Sequence, residues 1–215
     1  MKIWICAYRE WALEIYREVS TQFNNVEIIK TKQEFNNNTH LFDDNDIIFF
    51  IGWSWIIPNN IVEKNECICL HPSPLPKYRG GSPIQHQIIN GETQSAVTYF
   101  RMTKELDAGT ILFQETFSLD GNLKDIINRI IPLGIRGILA ILSNNIQEKE
   151  QDISQATFFK RRQPHESEIT LEELNNLSAK ELYNKIRALQ DPYPNAYIKC
   201  ADGSKLYLIK ALYEK

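Results

Sequence analysis

The chain has 215 residues, 43% of them hydrophobic, and its 24 Lys and Arg against 27 Asp and Glu leave a net charge of −3. That length accommodates one ordinary domain with an extension, or two small domains. The composition excludes a disordered chain, a coiled coil and a repeat array, and the charge gives no blanket electrostatic reason to bind nucleic acid or an anionic membrane.

No apolar run approaches the roughly 18 residues of a membrane span, and Arg9 and Glu10 arrive too early for a secretory leader. Cys6, Cys67, Cys69 and Cys200 follow neither a disulfide nor a zinc pattern. A reduced cytoplasm and no metal are therefore expected.

Along the chain, residues 3–8 read as a buried strand, 11–19 as a helix and 26–29 as a second strand. Residues 35–45 are rich in Asn and Asp and read as a loop, where such side chains compete for backbone hydrogen bonds. Uninterrupted apolar runs at 47–51 and 67–70 suggest strands covered on both faces, as in a parallel sheet flanked by helices. A helix over 82–90 carries Pro83 in its first turn. Strands over 96–102 and 110–117 follow, then a long helix over 123–142 that Pro132 and Gly134 are expected to bend. This order is that of an α/β domain of Rossmann-like topology with a mainly parallel sheet. Composition turns polar near residue 145, which sets a boundary between a core over 1–150 and an extension over 151–215. The extension is expected to hold a helix over 178–189 and a β-hairpin around Ala201-Asp202-Gly203-Ser204. An apolar tail hairpin is suited to pair with a second copy of the chain as a homodimer.

Chemistry concentrates in His71-Pro72-Ser73-Pro74-Leu75-Pro76-Lys77-Tyr78-Arg79-Gly80-Gly81-Ser82-Pro83. Ligands of an open α/β sheet bind outside the carboxyl ends of its strands, which is where His71 falls. Alternating prolines stiffen the loop, and Gly80-Gly81 lets the backbone approach a ligand closely. Asp107 lies between the next two strands, within reach of the same crevice. A histidine beside a carboxylate makes an acid/base pair. From the residues alone, a histidine at a strand end is more often structural and a Pro-rich loop more often a connector.

The run from His71 to Gly80, followed by Gly91, Val97-Thr98 and Leu106-Asp107-Ala108-Gly109, closely resembles the formyltransferases that use 10-formyltetrahydrofolate. The resemblance is strongest over residues 46–117. It implies a Rossmann-like core and transfer of a formyl group to a substrate amine, with His71 as general base and acid and Asp107 as its partner. It also implies an oxyanion-donating Asn two residues before the histidine, on the same strand face. Cys69 stands there instead, and a thiol is a poor donor. Three readings are open: His71 or a backbone N–H serves the oxyanion, Cys69 is a nucleophile activated by His71, or the chain binds its ligands without turning them over. The stretch Gly52-Trp53-Ser54-Trp55-Ile56-Ile57-Pro58 falls where the family builds its folate pocket. Trp53, Ser54, Ile57, Ser73, Leu75, Asp107 and Gly109 are accordingly expected around 10-formyltetrahydrofolate.

Arg161-Arg162-Gln163-Pro164, the run from Asn184 to Leu189, and Pro192-Tyr193-Pro194-Asn195-Ala196-Tyr197 resemble the segment after the core in the sugar N-formyltransferases. This implies a nucleotide-linked amino-deoxy sugar as acceptor, with a product used in surface polysaccharide. Lys77, Arg79, Gly80, Gly81, Gln85, Arg187 and Tyr193 would then contact its pyrophosphate and base. An enzyme like methionyl-tRNA formyltransferase is the second reading, although tRNA needs a larger basic surface than Lys160-Arg161-Arg162 provides. Neither a nucleic-acid partner nor a membrane is expected.

Overall fold

The computed structural model describes residues 1–214. Strand β1 (Ile3–Cys6) is buried at every position. Helix α1 (Glu10–Gln22) follows and turns Trp11, Ala12, Ile15 and Val19 inward, one apolar face at helical spacing. Strand β2 (Val26–Ile29) returns parallel to β1. The next segment departs from the expected loop. It forms α2 (Lys32–Asn38) and a 3-10 turn at Thr39–Leu41. Thr31 and Glu34 close a capping box at the start of α2, and Phe35 is buried beneath it. A cap and one buried ring outweigh the weak helix preference of three asparagines.

Strand β3 (Ile47–Ile51), a short α3 (Asn59–Lys64) and β4 (Glu66–His71) come next. His71 is the last residue of β4. A two-residue β5 (Arg79–Gly80) and α4 (Pro83–Ile89) precede β6 (Gln94–Arg101), β7 (Ile111–Ser118) and α5 (Leu123–Leu142). Helix α5 runs unbroken through Pro132 and Gly134. Gly134 serves packing: a Cβ there would collide with Ile15 and crowd Leu70, and its carbonyl accepts the Tyr99 hydroxyl at 2.8 Å.

The sheet order is β2-β1-β3-β4-β6-β7. The first four strands are parallel, and β6 and β7 join antiparallel. The chain leaves β1 for β2 on one side and returns to β3 on the other, so a crevice opens over the carboxyl ends of β1 and β3. On one face of the sheet, Ile5, Ile15, Phe49, Leu70, Tyr99 and Ile130 belong to the main core. Trp4, Cys6, Phe35, Phe50 and Cys67 form a second cluster.

After α5, β8 (Phe158–Phe159) pairs parallel with β5. Helices α6 (Leu171–Asn176) and α7 (Ala179–Ala188) lead to the hairpin of β9 (Tyr197–Lys199) and β10 (Lys205–Tyr207). Helix α7 packs against α4. Among the described residues no helix is long and apolar enough to cross a membrane.

Candidate active site

His71 is buried, and its Nε2 lies 2.8 Å from the carbonyl oxygen of Tyr78. A carbonyl only accepts, so Nε2 carries the proton and the lone pair of the neutral ring sits on Nδ1. Nδ1 faces Asp107 Oδ2 at 3.7 Å, close enough for an ion pair but too far for a hydrogen bond. The ring is thus oriented by a backbone carbonyl, where the sequence suggested the carboxylate. Tyr78 holds a left-handed conformation at φ 60°. Its N–H donates to Thr157 Oγ1 at 2.8 Å, its hydroxyl donates to Glu92 at 2.8 Å, and its ring stacks on Phe159 with centroids 4.9 Å apart.

Asp107 is also left-handed, at φ 53°, and its Oδ2 accepts the Gly80 N–H at 2.7 Å. Its loop is clamped by Gln151, a residue that sequence reasoning passed over. Gln151 Nε2 donates to the carbonyls of Asp107 and Gly109, at 3.0 and 2.7 Å. Its Oε1 accepts from Arg79 Nε and Nη2, at 3.1 and 2.7 Å. Arg79 is therefore turned inward, 5% exposed, and ties the His71 loop to the Asp107 loop; it is not open toward a pyrophosphate. Gly109 lies so close to the Arg101 carbonyl that any side chain would collide with it. No motif marks Gln151, since it sits in the polar stretch after α5 and acquires a role only when that stretch folds back.

The loop after His71 is rigid for reasons visible in its hydrogen bonds. Ser73 is fully buried and donates to the Lys77 carbonyl at 2.8 Å, and its own carbonyl accepts from Thr98 at 2.6 Å. Gln114 donates to the Leu75 carbonyl at 3.0 Å. The Ser73 hydroxyl is thus engaged inside the loop. Lys77 is exposed.

Cys69 lies two residues before His71 on β4, partly buried, paired with Phe50 and Phe100. Burial pushes its thiol well above the usual range, and the nearby Asp107 charge pushes further in the same direction. The thiol stays protonated at neutral pH, which argues against a nucleophile and leaves a weak S–H donor.

Trp53 packs against Phe35, Phe50 and Trp55, and its indole N–H is buried without a partner. Ser54 Oγ is 2.5 Å from the Tyr8 hydroxyl. Ile57 is buried, whereas Ile56 is 93% exposed. Leu75 packs with Cys69 and Met102. An orphaned indole donor and this apolar wall beside Cys69 suit a flat heterocycle with a polar edge. Among the described residues no group of three His, Cys, Asp or Glu is placed to hold a metal.

The remaining expected residues divide. Gly80 and Gly81 approach Phe159 and Arg161 so closely that side chains would not fit. Gln85 is buried on α4, and Tyr193 lies against Arg9, with the guanidinium carbon 4.6 Å from its ring centre. Arg187 donates to Asn184 and to the carbonyls of Leu119 and Gly121, which ties α7 to the β7–α5 connection.

The formyl transferase family model matches residues 19–130, and the formyl transferase C-terminal domain model matches residues 172–215. Methionyl-tRNA formyltransferase of Ligilactobacillus salivarius is 35% identical over 180 residues, covering 79% of this chain and 55% of the relative. That of Rickettsia massiliae is 36% identical over 163 residues, covering 73% and 52%. The chain spans about half the length of these curated relatives. Among solved structures, methionyl-tRNA formyltransferase from Clostridium thermocellum superposes with a TM-score of 0.83 at 27% identity, covering 96% of each chain. A 4-N formyltransferase from Francisella tularensis superposes at 0.76 with 21% identity, covering 100% and 98%, a likeness of fold.

Proposed function

The chain belongs to the formyl transferase family, and from that premise we propose that it is an N-formyltransferase acting on the amine of a nucleotide-linked amino-deoxy sugar, with 10-formyltetrahydrofolate as co-substrate. The observation that carries this reading is the buried His71–Asp107 pair at the carboxyl end of β4, with its Nε2 proton fixed on Tyr78. The folate supplies the formyl carbon, and Trp53, Ser54, Ile57, Leu75, Asp107 and Gly109 would hold it. His71 Nδ1 takes the proton of the attacking amine. Asp107 then faces a cationic ring at 3.7 Å and stabilises it, and the ring returns the proton to the folate nitrogen as the bond from that nitrogen to the formyl carbon breaks and tetrahydrofolate leaves. Positioned proton transfer of this kind contributes roughly 10²–10⁴ in rate. The reaction belongs in the cytoplasm, and its product to surface polysaccharide.

A sugar acceptor is supported by the charge of residues 151–215, where ten Lys and Arg meet nine Asp and Glu. A groove in this part is lined by Glu166, Glu168, Glu172 and Glu173 together with Arg162, His165 and Lys185, and this net acidic lining disfavours a phosphate backbone. The second reading, methionyl-tRNA as acceptor, is favoured by the names of relatives at 35% and 36% identity.

The test is mass spectrometry after incubation with 10-formyltetrahydrofolate. The panel holds dTDP-linked 4-amino and 3-amino sugars, UDP-4-amino-arabinose, GDP-perosamine and methionyl-tRNA. One formylated nucleotide sugar supports the proposal. Formylation of methionyl-tRNA alone replaces it, and folate binding without any product makes the chain a binding protein.

A further inference from the structure

Arg9 follows β1 at the strand's carboxyl end and is the residue that precedes α1. It therefore sits on the side of the crevice where strand order reverses. Its guanidinium carbon lies 5.2 Å from the ring centre of Tyr8 and 4.6 Å from that of Tyr193. These rings hold the group by cation–π attraction, yet among the described residues its N–H donors enter no hydrogen bond or ion pair. An arginine fixed in place with a free planar fork is prepared for an anion.

Two further donors lie buried at this corner. Gln85 is 4% exposed, Trp11 is 8% exposed, and Gln85 Nε2 and Trp11 Nε1 are both buried without a partner. Both lie beside the Tyr193 hydroxyl. A buried donor left unpaired costs about 1–3 kcal/mol, so unpaired donors around one tyrosine call for an acceptor from outside the chain. The nearest carboxylate in sequence, Glu10, is engaged by Arg17 at 2.7 Å. Tyr8 also links this corner to the catalytic edge through Ser54. Two strand spacings, about 10 Å, separate the ends of β1 and β4, a span suited to a sugar that joins an amine at His71 to a diphosphate.

We propose that Arg9, with Tyr8, Tyr193 and Gln85, forms a diphosphate subsite at the carboxyl end of β1. The identity of that diphosphate as part of the acceptor rests on the nucleotide-sugar reading.

The test is calorimetry on the full chain, wild type and Arg9→Gln, with inorganic pyrophosphate, dTDP and UDP as probes. Thymidine and uridine serve as controls without phosphate, and 5-formyltetrahydrofolate reports on the folate side. Arg9→Gln is expected to weaken pyrophosphate and both diphosphates by about tenfold or more, leaving nucleoside and folate affinities unchanged. Arg9→Lys, which keeps the charge but not the fork, falls between. Pyrophosphate affinity equal in wild type and Arg9→Gln overturns the proposal, as does no pyrophosphate binding by either. A loss confined to folate overturns it too, because Arg9 would then face the folate carboxylates. Arg9-dependent pyrophosphate binding with a negative acceptor panel keeps the subsite and retires the sugar; a formylated sugar whose KM ignores Arg9 does the reverse.

Discussion

The Tyr78 carbonyl accepts the hydrogen bond of His71 Nε2–H, so in the neutral ring the nitrogen that faces Asp107 is the one that carries the lone pair. A lone pair and a carboxylate opposite each other have nothing to bind until a proton arrives between them. Protonation of Nδ1 converts that contact into an ion pair. Under the proposed reaction this arrangement favours the protonated ring, and the Gly80 N–H holds Asp107 in place.

Replacing His71 by Asn removes the basic nitrogen. The variant is expected to remain folded, with its melting temperature little changed, while turnover falls by about 10²–10⁴. Retained turnover would remove His71 from the mechanism.

Cys69→Ala is expected to keep activity near wild type, because the thiol is held protonated by burial and by Asp107. Cys69→Asn supplies a true donor and should raise kcat, up to about 10²-fold. Alkylation at neutral pH should mark the exposed Cys200 and leave Cys69 untouched. Loss of activity in Cys69→Ala would restore the nucleophile reading.

Gln151→Met leaves the buried Arg79 guanidinium without its acceptor and is expected to cost about 3 kcal/mol in urea denaturation. Gln151→Glu gives Arg79 a carboxylate but offers no N–H to the Asp107 and Gly109 carbonyls. It should recover much of the stability and little of the kcat. Equal recovery of both would show that Gln151 acts on the fold alone.

Asp46 sets an acid limb. Burial pushes its carboxyl up, but bonds from the Lys2 N–H at 2.7 Å, the Trp4 indole at 2.9 Å and the Asp43 N–H at 3.2 Å outweigh it, and the net direction is down. A lowered folded value means the contribution is present above the unfolded carboxyl value of about 3.9 and is lost as pH falls through the folded one. Asp46→Asn should cost about 1–3 kcal/mol at neutral pH, with a flatter decline below about pH 4. Urea midpoints measured from pH 2 to 7, a range of about five units around that value, would show it; parallel curves for the two proteins would refute the account.

The sheet was legible where apolar runs are uninterrupted, as in Ile47–Ile51, because a strand covered on both faces leaves no alternation to misread. Helix α5 was legible from its spacing. Helix α2 was hidden, because its asparagines speak for a loop and only the Thr31–Glu34 cap and the burial of Phe35 speak against one. His71 and Asp107 were marked by motif. Tyr78 lies within that motif but its role was not legible, and Gln151 lies outside any motif, since each acts through groups that sequence cannot locate: a backbone carbonyl in one case, a side chain 44 residues from Asp107 in the other.

The strand pair β5–β8 has a consequence for how such proteins can be recombined. Thr157 receives the Tyr78 N–H, Phe159 supports the Tyr78 ring, and the Gly81 N–H donates to the Phe159 carbonyl at 2.8 Å. Residues 151–162 therefore buttress the catalytic loop although they follow the point where composition changes. A chimera that grafted a relative's tail at residue 150 would import a foreign buttress along with the new acceptor preference, and would test two changes at once. A junction placed after Arg162 exchanges the tail and leaves the loop with its own support.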